Sequence, residues 1–401
     1  MKMIYLDYAS ITPIDPKVRK EMDKWNREPL NPSSIHALGV KAKMAMEGAR
    51  KNVAEFLNAH ADEIVFTSGG TEANSLALEG AGRAAYRAFQ NAGKASPRPH
   101  LIISVVEHSS IIETASMLEK HGVEVTRLGV DKNGLVSLEQ LKKAIKPETF
   151  LVSIMTANNE IGTIQPVREI AKIVRDARKK NGSKYPLFHT DACQVVLYQD
   201  LNVEKLGIDL LTLDASKACG PRGIGALYVK RATPIEPIIY GGGQESGLRS
   251  GTENIPGIVG FARALELIKK PGLAKDDKKA VNFRDMEKEN QRVGDLRDHF
   301  EKEVMKTWPD AIVNGVNTPR MPHISNITLL NVDAEMLVLR LDAKGIAVST
   351  KSACLRDEDE SYVLRAIGAD SKSSIRFSFG RWTKNREIKE TLIILKRLLG
   401  R

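Results

Sequence analysis

The stretch that decides the fold reads Ile64-Val65-Phe66-Thr67-Ser68-Gly69-Gly70-Thr71-Glu72-Ala73-Asn74. Its apolar start predicts a β-strand, its two glycines permit a tight turn, and a helix is predicted to begin at about Thr71. The first N–H groups of such a helix, together with its dipole, favour a bound anion such as a phosphate. A tight turn needs glycine in any case, so a purely structural role explains these residues equally well.

Outward from this stretch, short apolar runs alternate with amphipathic helical patterns as far as about residue 235. This alternation predicts an α/β fold with a mostly parallel sheet covered by helices on both faces. After about residue 255 the pattern changes to long helical stretches with a few strands, which is typical of an α+β unit. We therefore predict a large domain over residues 15–255 and a smaller domain formed by residues 1–14 and 256–401.

The composition is that of an ordinary globular protein, with 42% hydrophobic and 27% charged residues in a chain of 401. Its 3 cysteines, Cys193, Cys219 and Cys354, are odd in number and widely spaced. They predict reduced thiols rather than a disulfide framework, and they exclude a CxxC zinc site, so no metal centre is expected. The N-terminus lacks an apolar signal run and no stretch resembles a membrane span, which predicts a cytoplasmic protein.

The net charge is +10, from 60 Lys and Arg against 50 Asp and Glu. Such an excess raises the possibility of nucleic-acid binding. The signs alternate, however, even in the most charged stretch, residues 269–306, and this is typical of solvated helix faces. The charge therefore gives no strong nucleic-acid signal, and nothing in the sequence indicates direct membrane binding.

Lys217 follows a predicted buried strand and precedes Gly220-Pro221-Arg222-Gly223. Ligands of open α/β sheets bind outside the carboxyl ends of the strands. A lysine desolvated there has a lowered pKa and can form a Schiff base. The alternative is an ordinary surface lysine.

Three further residues are candidates for chemistry. Asp191 ends a strand and could pair with a protonated pyridine nitrogen, or it could merely cap the next helix. His108 could stack on a flat cofactor, or it could simply begin a helix. Cys354 opens a charged loop and is either an exposed nucleophile beside Lys351 and Arg356 or an incidental surface cysteine.

Together and in this order, these motifs resemble the cysteine desulfurases, pyridoxal-phosphate enzymes of the class V aminotransferase group. The resemblance covers nearly the whole chain. Further matching segments are Tyr5-Leu6-Asp7-Tyr8-Ala9, Asn31-Pro32-Ser33-Ser34-Ile35-His36, Asn158-Asn159-Glu160-Ile161-Gly162, Gly241-Gly242-Gly243-Gln244-Glu245, Arg249-Ser250-Gly251-Thr252 and Ser374-Ile375-Arg376-Phe377-Ser378. The resemblance implies the aspartate-aminotransferase-like fold, fold type I, with pyridoxal 5'-phosphate as cofactor.

The resemblance also implies a role for each residue around the cofactor. Lys217 would hold it as a Schiff base and then act as a catalytic base. Asp191 would pair with the pyridine nitrogen, Gln194 would hydrogen-bond the phenolic oxygen, and His108 would stack on the ring.

At the phosphate end, the resemblance implies that Gly70 and Thr71 bind through the helix N-terminus. Thr252 would reach in from the other subunit of a homodimer.

For the substrate, the resemblance implies that Asn159 and Arg376 hold L-cysteine. Asn159 would also contact the cofactor. Arg376 would bind the α-carboxylate. Cys354 would take the sulfur as a persulfide, leave alanine, and pass the sulfur to an acceptor or scaffold protein for iron–sulfur cluster assembly or transfer-RNA thiolation. The alternatives are a selenocysteine lyase, another class V enzyme, or a degenerate paralogue without catalysis.

Several positions depart from the family pattern. Asp214 stands where a hydroxyl ligand of the phosphate is usual, and Ser216 replaces the histidine that usually precedes the lysine. Gln244 and Leu30 replace a usual histidine and a usual glycine. A carboxylate beside a phosphate dianion is repulsive, so we expect Asp214 either to turn away or to weaken cofactor binding.

Overall fold

The computed structural model describes residues 3–91, 98–269, 284–350 and 360–400. The strands of the main sheet are β2 (Ile64–Thr67), β3 (His100–Ser104), β4 (Glu124–Leu128), β5 (Thr149–Ser153), β6 (Leu187–Asp191), β7 (Leu210–Asp214) and β8 (Gly225–Val229). A short β1 (Ile4–Tyr5) precedes them. The other strands are β9 (Ile268–Lys269), β10 (Arg284–Asp285), β11 (Ile312–Val313), β12 (Ile324–Thr328), β13 (Ile346–Ala347) and β14 (Ser374–Ser378).

The helices of the first 266 residues are α1 (Pro16–Trp25), α2 (Ala37–Leu57), α3 (Gly70–Ser75), α4 (Ala81–Asn91), α5 (Ser109–Lys120), α6 (Leu138–Ala144), α7 (Val167–Asn181), α8 (Val203–Leu206) and α9 (Ile255–Glu266). Those that follow are α10 (Met286–Thr307), α11 (Ala334–Asp342), α12 (Tyr362–Ala366) and α13 (Asn385–Leu398). A π-helical turn, Leu76–Gly80, joins α3 directly to α4. In the part of the chain that is described, no helix is long and apolar enough to cross a membrane.

The main sheet has seven strands in the order β2-β8-β7-β6-β5-β3-β4. All neighbours are parallel except β8, which runs antiparallel to both β2 and β7. Two antiparallel steps leave β2 pointing the same way as β7. The carboxyl ends of β2, β3, β5, β6 and β7 therefore meet at one edge, and this confirms the predicted mostly parallel sheet.

Successive strand residues pack into different hydrophobic cores, because side chains alternate across a sheet. On β3, Ile102 packs into the larger core, whereas Leu101 and Ile103 pack into the smaller one. All three side chains are fully buried. Both faces of the sheet are thus covered, as the alternating β and α segments predicted.

The second half of the chain forms smaller sheets. Strands β11, β12 and β14 make an antiparallel sheet, and β1 pairs in parallel with β13. The N-terminal segment thereby lies beside the C-terminal strands, with an additional bridge between Asp7 and Ser378. The boundaries of the two domains stay a prediction.

A close approach of backbones shapes the turn after β2. A side chain on Gly225, the first residue of β8, would place its Cβ 2.7 Å from the carbonyl carbon of Gly69 and from the oxygen of Leu213. Only glycine avoids this collision, so the turn sits directly against the end of β7. This contact brings the start of α3 beside Asp214.

Candidate active site

A cavity of about 190 Å³ opens at the carboxyl edge of the sheet. Eight residues predicted from the sequence line it, namely Gly70, Thr71, His108, Asn159, Asp191, Gln194, Lys217 and Arg376. They come from six separate parts of the chain. The parallel sheet brings all of them together except Arg376, which lies on β14 of the three-stranded sheet. Ligands of this fold class bind at this edge.

Lys217 ends a 3-10 turn that follows β7 directly. Its Nζ donates to the carbonyl oxygen of Ala9 at 3.0 Å and also to that of Ser10. Burial lowers the pKa of this amine below its usual value, and the charge of Asp214 opposes the shift. A lowered pKa increases the neutral fraction, which is the form that attacks a carbonyl carbon.

Asp191 is buried at the end of β6. Its Oδ2 accepts a hydrogen bond from Asn74 Nδ2 at 2.8 Å, and its Oδ1 accepts one from the backbone N–H of Cys193 at 2.9 Å. The carboxylate therefore binds the first N–H of the 3-10 turn Cys193–Val195 and also lines the cavity. The position of Asp191 at the cavity wall is compatible with both interpretations, and its pairing with a pyridine nitrogen stays a prediction.

His108 begins a helix and also reaches the cavity, while its stacking on a cofactor stays a prediction. It is the N-cap residue of α5, and its Nδ1 accepts a hydrogen bond from the N–H of Ser110. Its ring nevertheless lines the cavity. The cap fixes the ring's orientation at the cavity wall.

Arg376 lies on β14 and is almost completely buried, with 1% of its surface exposed. Its Nη1 donates to the carbonyl oxygen of Asn159 at 3.0 Å. Its Nη2 donates to Asp7 Oδ1 at 2.9 Å and to Ser10 Oγ at 2.8 Å. Its Nε is buried and has no hydrogen-bond partner among the described residues.

Gln194 donates from its Nε2 to the carbonyl oxygen of Ala9 at 2.9 Å. Its Oε1 lies 3.4 Å from the Nε2 of His323, whose ring is buried and stacks on Tyr198. Burial lowers the pKa of His323 to about 3, so the ring is neutral. These contacts hold the Gln194 amide at the cavity wall.

Two predicted residues are not found in this cavity. Thr252 lines a separate cavity of about 90 Å³ with Phe66, Ser68 and Arg249. Cys354 lies outside the described residues. The roles of both residues stay predictions.

Asp214 does not turn away from the cavity. Its side chain lines the cavity wall next to Gly70, and its Oδ2 accepts a hydrogen bond from the Gly70 N–H at 3.0 Å. Of the two outcomes expected from the sequence, the structure excludes the first.

Three residues that shape the site had no predicted role. Asn74, one helical turn after Gly70, is buried and holds Asp191, and its Oδ1 has no partner among the described residues. The i, i+4 spacing on a predicted helix was a usable signal for it. Asp7 and Ser10 bind Arg376 from a position more than 360 residues away, and no local pattern indicates that contact.

Cys193 also lines the cavity, but it is fully buried as a free thiol. Burial, followed by the charge of Asp191, raises the pKa of this thiol well above its usual value. A protonated thiol is a poor nucleophile. The predicted packing role of Cys193 therefore suits its surroundings.

The fold and this lysine-bearing cavity at the sheet edge define a fold type I enzyme. The profile of the family Aminotransferase class-V matches residues 4–391. A cysteine desulfurase IscS of Dictyoglomus turgidum is 41% identical over 402 residues, covering 99% of this chain and 94% of that protein. The chain thus belongs to the cysteine desulfurases of the class V aminotransferase family, a family of pyridoxal-phosphate-dependent enzymes.

Solved structures agree with this assignment. A NifS-like protein matches with a TM-score of 0.85 and 33% identity, covering 99% of each chain. A structure titled SspA in complex with cysteine matches with a TM-score of 0.76 and 33% identity, covering 95% of this chain and all of that one. The predicted family and fold type are confirmed.

Proposed function

We propose that this protein removes sulfur from L-cysteine, leaving L-alanine, with pyridoxal 5'-phosphate held in the 190 Å³ cavity. The observation that carries the proposal is the convergence of Lys217, Asp191, His108 and Arg376 on that one cavity. An amine, a carboxylate, an imidazole and a guanidinium are the groups needed to hold a pyridine aldehyde and an amino acid together.

The residues present fit this cofactor at its ring end. Two buried polar atoms beside the cavity have no hydrogen-bond partner among the described residues, namely Asn74 Oδ1 and Arg376 Nε. This wall can therefore form further hydrogen bonds with a ligand. When bound, pyridoxal phosphate withdraws electrons from the amino acid's Cα and makes the C–S bond breakable. Asp191 would stand opposite the ring nitrogen, and Asn74 would keep its carboxylate in place.

Lys217 would bind the cofactor through Nζ and later carry a proton at the same atom. Its pKa, lowered by burial, favours both tasks, because a larger neutral fraction of the amine can attack a carbonyl carbon and accept a proton. The carbonyl oxygens of Ala9 and Ser10 hold Nζ at the cavity wall.

Arg376 would orient L-cysteine by its α-carboxylate. The guanidinium is fixed on three sides by Asp7, Ser10 and Asn159, so little side-chain entropy is lost when a substrate binds. The relative that is titled as a complex with cysteine supports L-cysteine as the substrate.

Cys354 would receive the sulfur atom as a persulfide and pass it to an acceptor or scaffold protein. The support for this role is the resemblance of Ser352-Ala353-Cys354 to the family's motif. The relatives named cysteine desulfurase IscS support the iron–sulfur assembly type.

A homodimer would complete the site. Thr252 lies in a separate cavity beside Phe66, and a second copy of the chain would bring its own Thr252 to the phosphate end. A cytoplasmic location suits the reduced thiols of Cys193 and Cys219, both of which are buried.

Spectroscopy tests the cofactor half of the proposal. Wild-type protein incubated with pyridoxal phosphate should gain a visible absorption band, and Lys217→Ala should lack it. Lys205→Ala, an exposed lysine on α8, is the matched control and should keep the band. A wild-type protein that stays colourless would overturn the proposal.

A further inference from the structure

The carboxylate of Asp214 occupies the start of the helical segment that the resemblance assigns to the cofactor phosphate. Its Oδ2 accepts a hydrogen bond from the Gly70 N–H at 3.0 Å, and its Oδ1 accepts one from the Ser216 N–H at 2.8 Å. The same side chain lines the cavity that holds Lys217. An anion built into the protein therefore already uses two backbone donors at this end of the cavity.

The Gly70 N–H lies at the start of a long helical segment. The segment continues without a break through α3, the π-helical turn and α4, over residues 70–91, so its dipole is that of a long helix. The first N–H groups of a helix have no partner within the helix and attract anions. Asp214, the last residue of β7, accepts the hydrogen bond of the first of these groups, the Gly70 N–H.

Space is also short at this point. A Cβ built on Gly70 would lie 3.4 Å from Asp214 Oδ2 and 3.0 Å from Cys193 Sγ. Asp214 Oδ2 also lies 3.0 Å from the Gly70 nitrogen, so a phosphate oxygen on the same N–H would meet the carboxylate at van der Waals distance or closer. Two anions at that separation repel each other, and the carboxylate has to give up its hydrogen bond before the phosphate can form one.

We propose that Asp214 is an internal competitor of the cofactor phosphate, so that this chain holds pyridoxal phosphate more loosely than the same chain without that carboxylate. The inference rests on the proposed function, because it presumes the cofactor in this cavity. Asp214 stabilises the cofactor-free protein by capping the helical segment, and it selects against a phosphate dianion there. Exchange of the cofactor with the surroundings becomes easier in consequence.

The charge of Asp214 also acts on Lys217, whose pKa it raises against the effect of burial. Removing the carboxylate would therefore change the reactivity of the amine as well as the phosphate end. Pyridoxal, which has the same aldehyde and ring but no phosphate, separates the two effects. A change at the amine affects both ligands, whereas relief of competition affects only the phosphorylated one.

The test is equilibrium binding of pyridoxal phosphate and of pyridoxal to the cofactor-free full chain, followed by visible absorbance. Wild type is compared with Asp214→Asn and Asp214→Ser, and with Asp62→Asn as the control that removes an exposed carboxylate on the surface. Even in bulk water, two unit charges about 4 Å apart cost about fivefold in affinity. For a phosphate dianion we therefore expect both Asp214 variants to bind pyridoxal phosphate at least about tenfold more tightly, roughly 1.4 kcal/mol.

In the Asp214 variants, the affinity for pyridoxal should change by less than about threefold. Asp62→Asn should match wild type for both ligands. Equal affinities of wild type and Asp214 variants for pyridoxal phosphate would overturn the inference, and so would an equal gain for pyridoxal. If no protein binds either aldehyde, the proposed function fails instead. Thermal unfolding with inorganic phosphate gives a second readout, in which the cofactor-free Asp214 variants should melt lower than wild type and gain more from phosphate.

Discussion

Arg376 offers the sharpest prediction for substrate recognition. Three acceptors, the Asn159 carbonyl, the Asp7 carboxylate and the Ser10 hydroxyl, hold this guanidinium in place. Its buried Nε–H has no partner among the described residues. Arg376→Lys keeps a positive charge at the position but removes the planar fork. We therefore expect a selective loss of recognition of the substrate carboxylate.

The magnitude follows from the number of bonds lost. A hydrogen bond to a charged group contributes about 1.5–3 kcal/mol, so loss of the single Nε–H bond lowers kcat/KM for L-cysteine roughly 10- to 150-fold. A second bond lost from the fork would multiply this factor. The ion pair with Asp7 can be kept by the lysine ammonium, so the fold should survive.

The assay compares L-cysteine with cysteamine, which lacks the carboxylate. Alanine formation gives kcat/KM for L-cysteine, and competition against L-cysteine gives the inhibition constant of cysteamine. Cysteamine should change less than about threefold, because it makes no contact with the fork. If Arg376→Lys weakens both ligands equally, or neither, Arg376 does not read the carboxylate.

Two further predictions concern stability. Burial raises the pKa of Glu107 to about 8, so the folded state retains a proton that the unfolded chain loses near pH 4.5. The free energy of unfolding therefore falls as the pH rises from 4.5 to 8, by up to about 1.4 kcal/mol per pH unit. Glu107→Gln should flatten this decline in denaturant unfolding at pH 5–8, whereas parallel profiles would refute it. Arg50→Met should lower the free energy of unfolding by about 3–5 kcal/mol, because it strands the Glu245 carboxylate that Arg50 binds at 2.7 Å. Adding Glu245→Gln should recover part of that loss, and a strictly additive double variant would contradict the argument.

The sheet and most of the cavity were predictable from the sequence for a simple physical reason. Strand periodicity locates the carboxyl ends of the strands, and parallel strands place those ends at one edge. Asp191 is the last residue of β6 and Lys217 follows β7 by three residues, so the sheet places both at the same edge. The resemblance then gave each residue its expected role.

Contacts between distant segments were not predictable in this way. Asp7 meets Arg376 across 369 positions, and the pairing depends on how β1 packs beside the C-terminal strands. The direction of the Asp214 side chain depends on the Gly70 N–H, 144 residues away, which the sequence cannot place within hydrogen-bonding distance. The π-helical turn after α3 also has no local sequence signal that periodicity could detect.

The most direct measurement is alanine release from L-cysteine together with mass spectrometry of the protein, for wild type, Cys354→Ser and Cys219→Ala. Cys219 is a buried cysteine outside the predicted sulfur-transfer loop and serves as the matched control. We expect alanine and one additional sulfur atom on the peptide containing Cys354 in wild type and in Cys219→Ala, and neither in Cys354→Ser. Alanine release that persists unchanged in Cys354→Ser, or an absence of alanine from the cofactor-loaded wild type, would contradict the account.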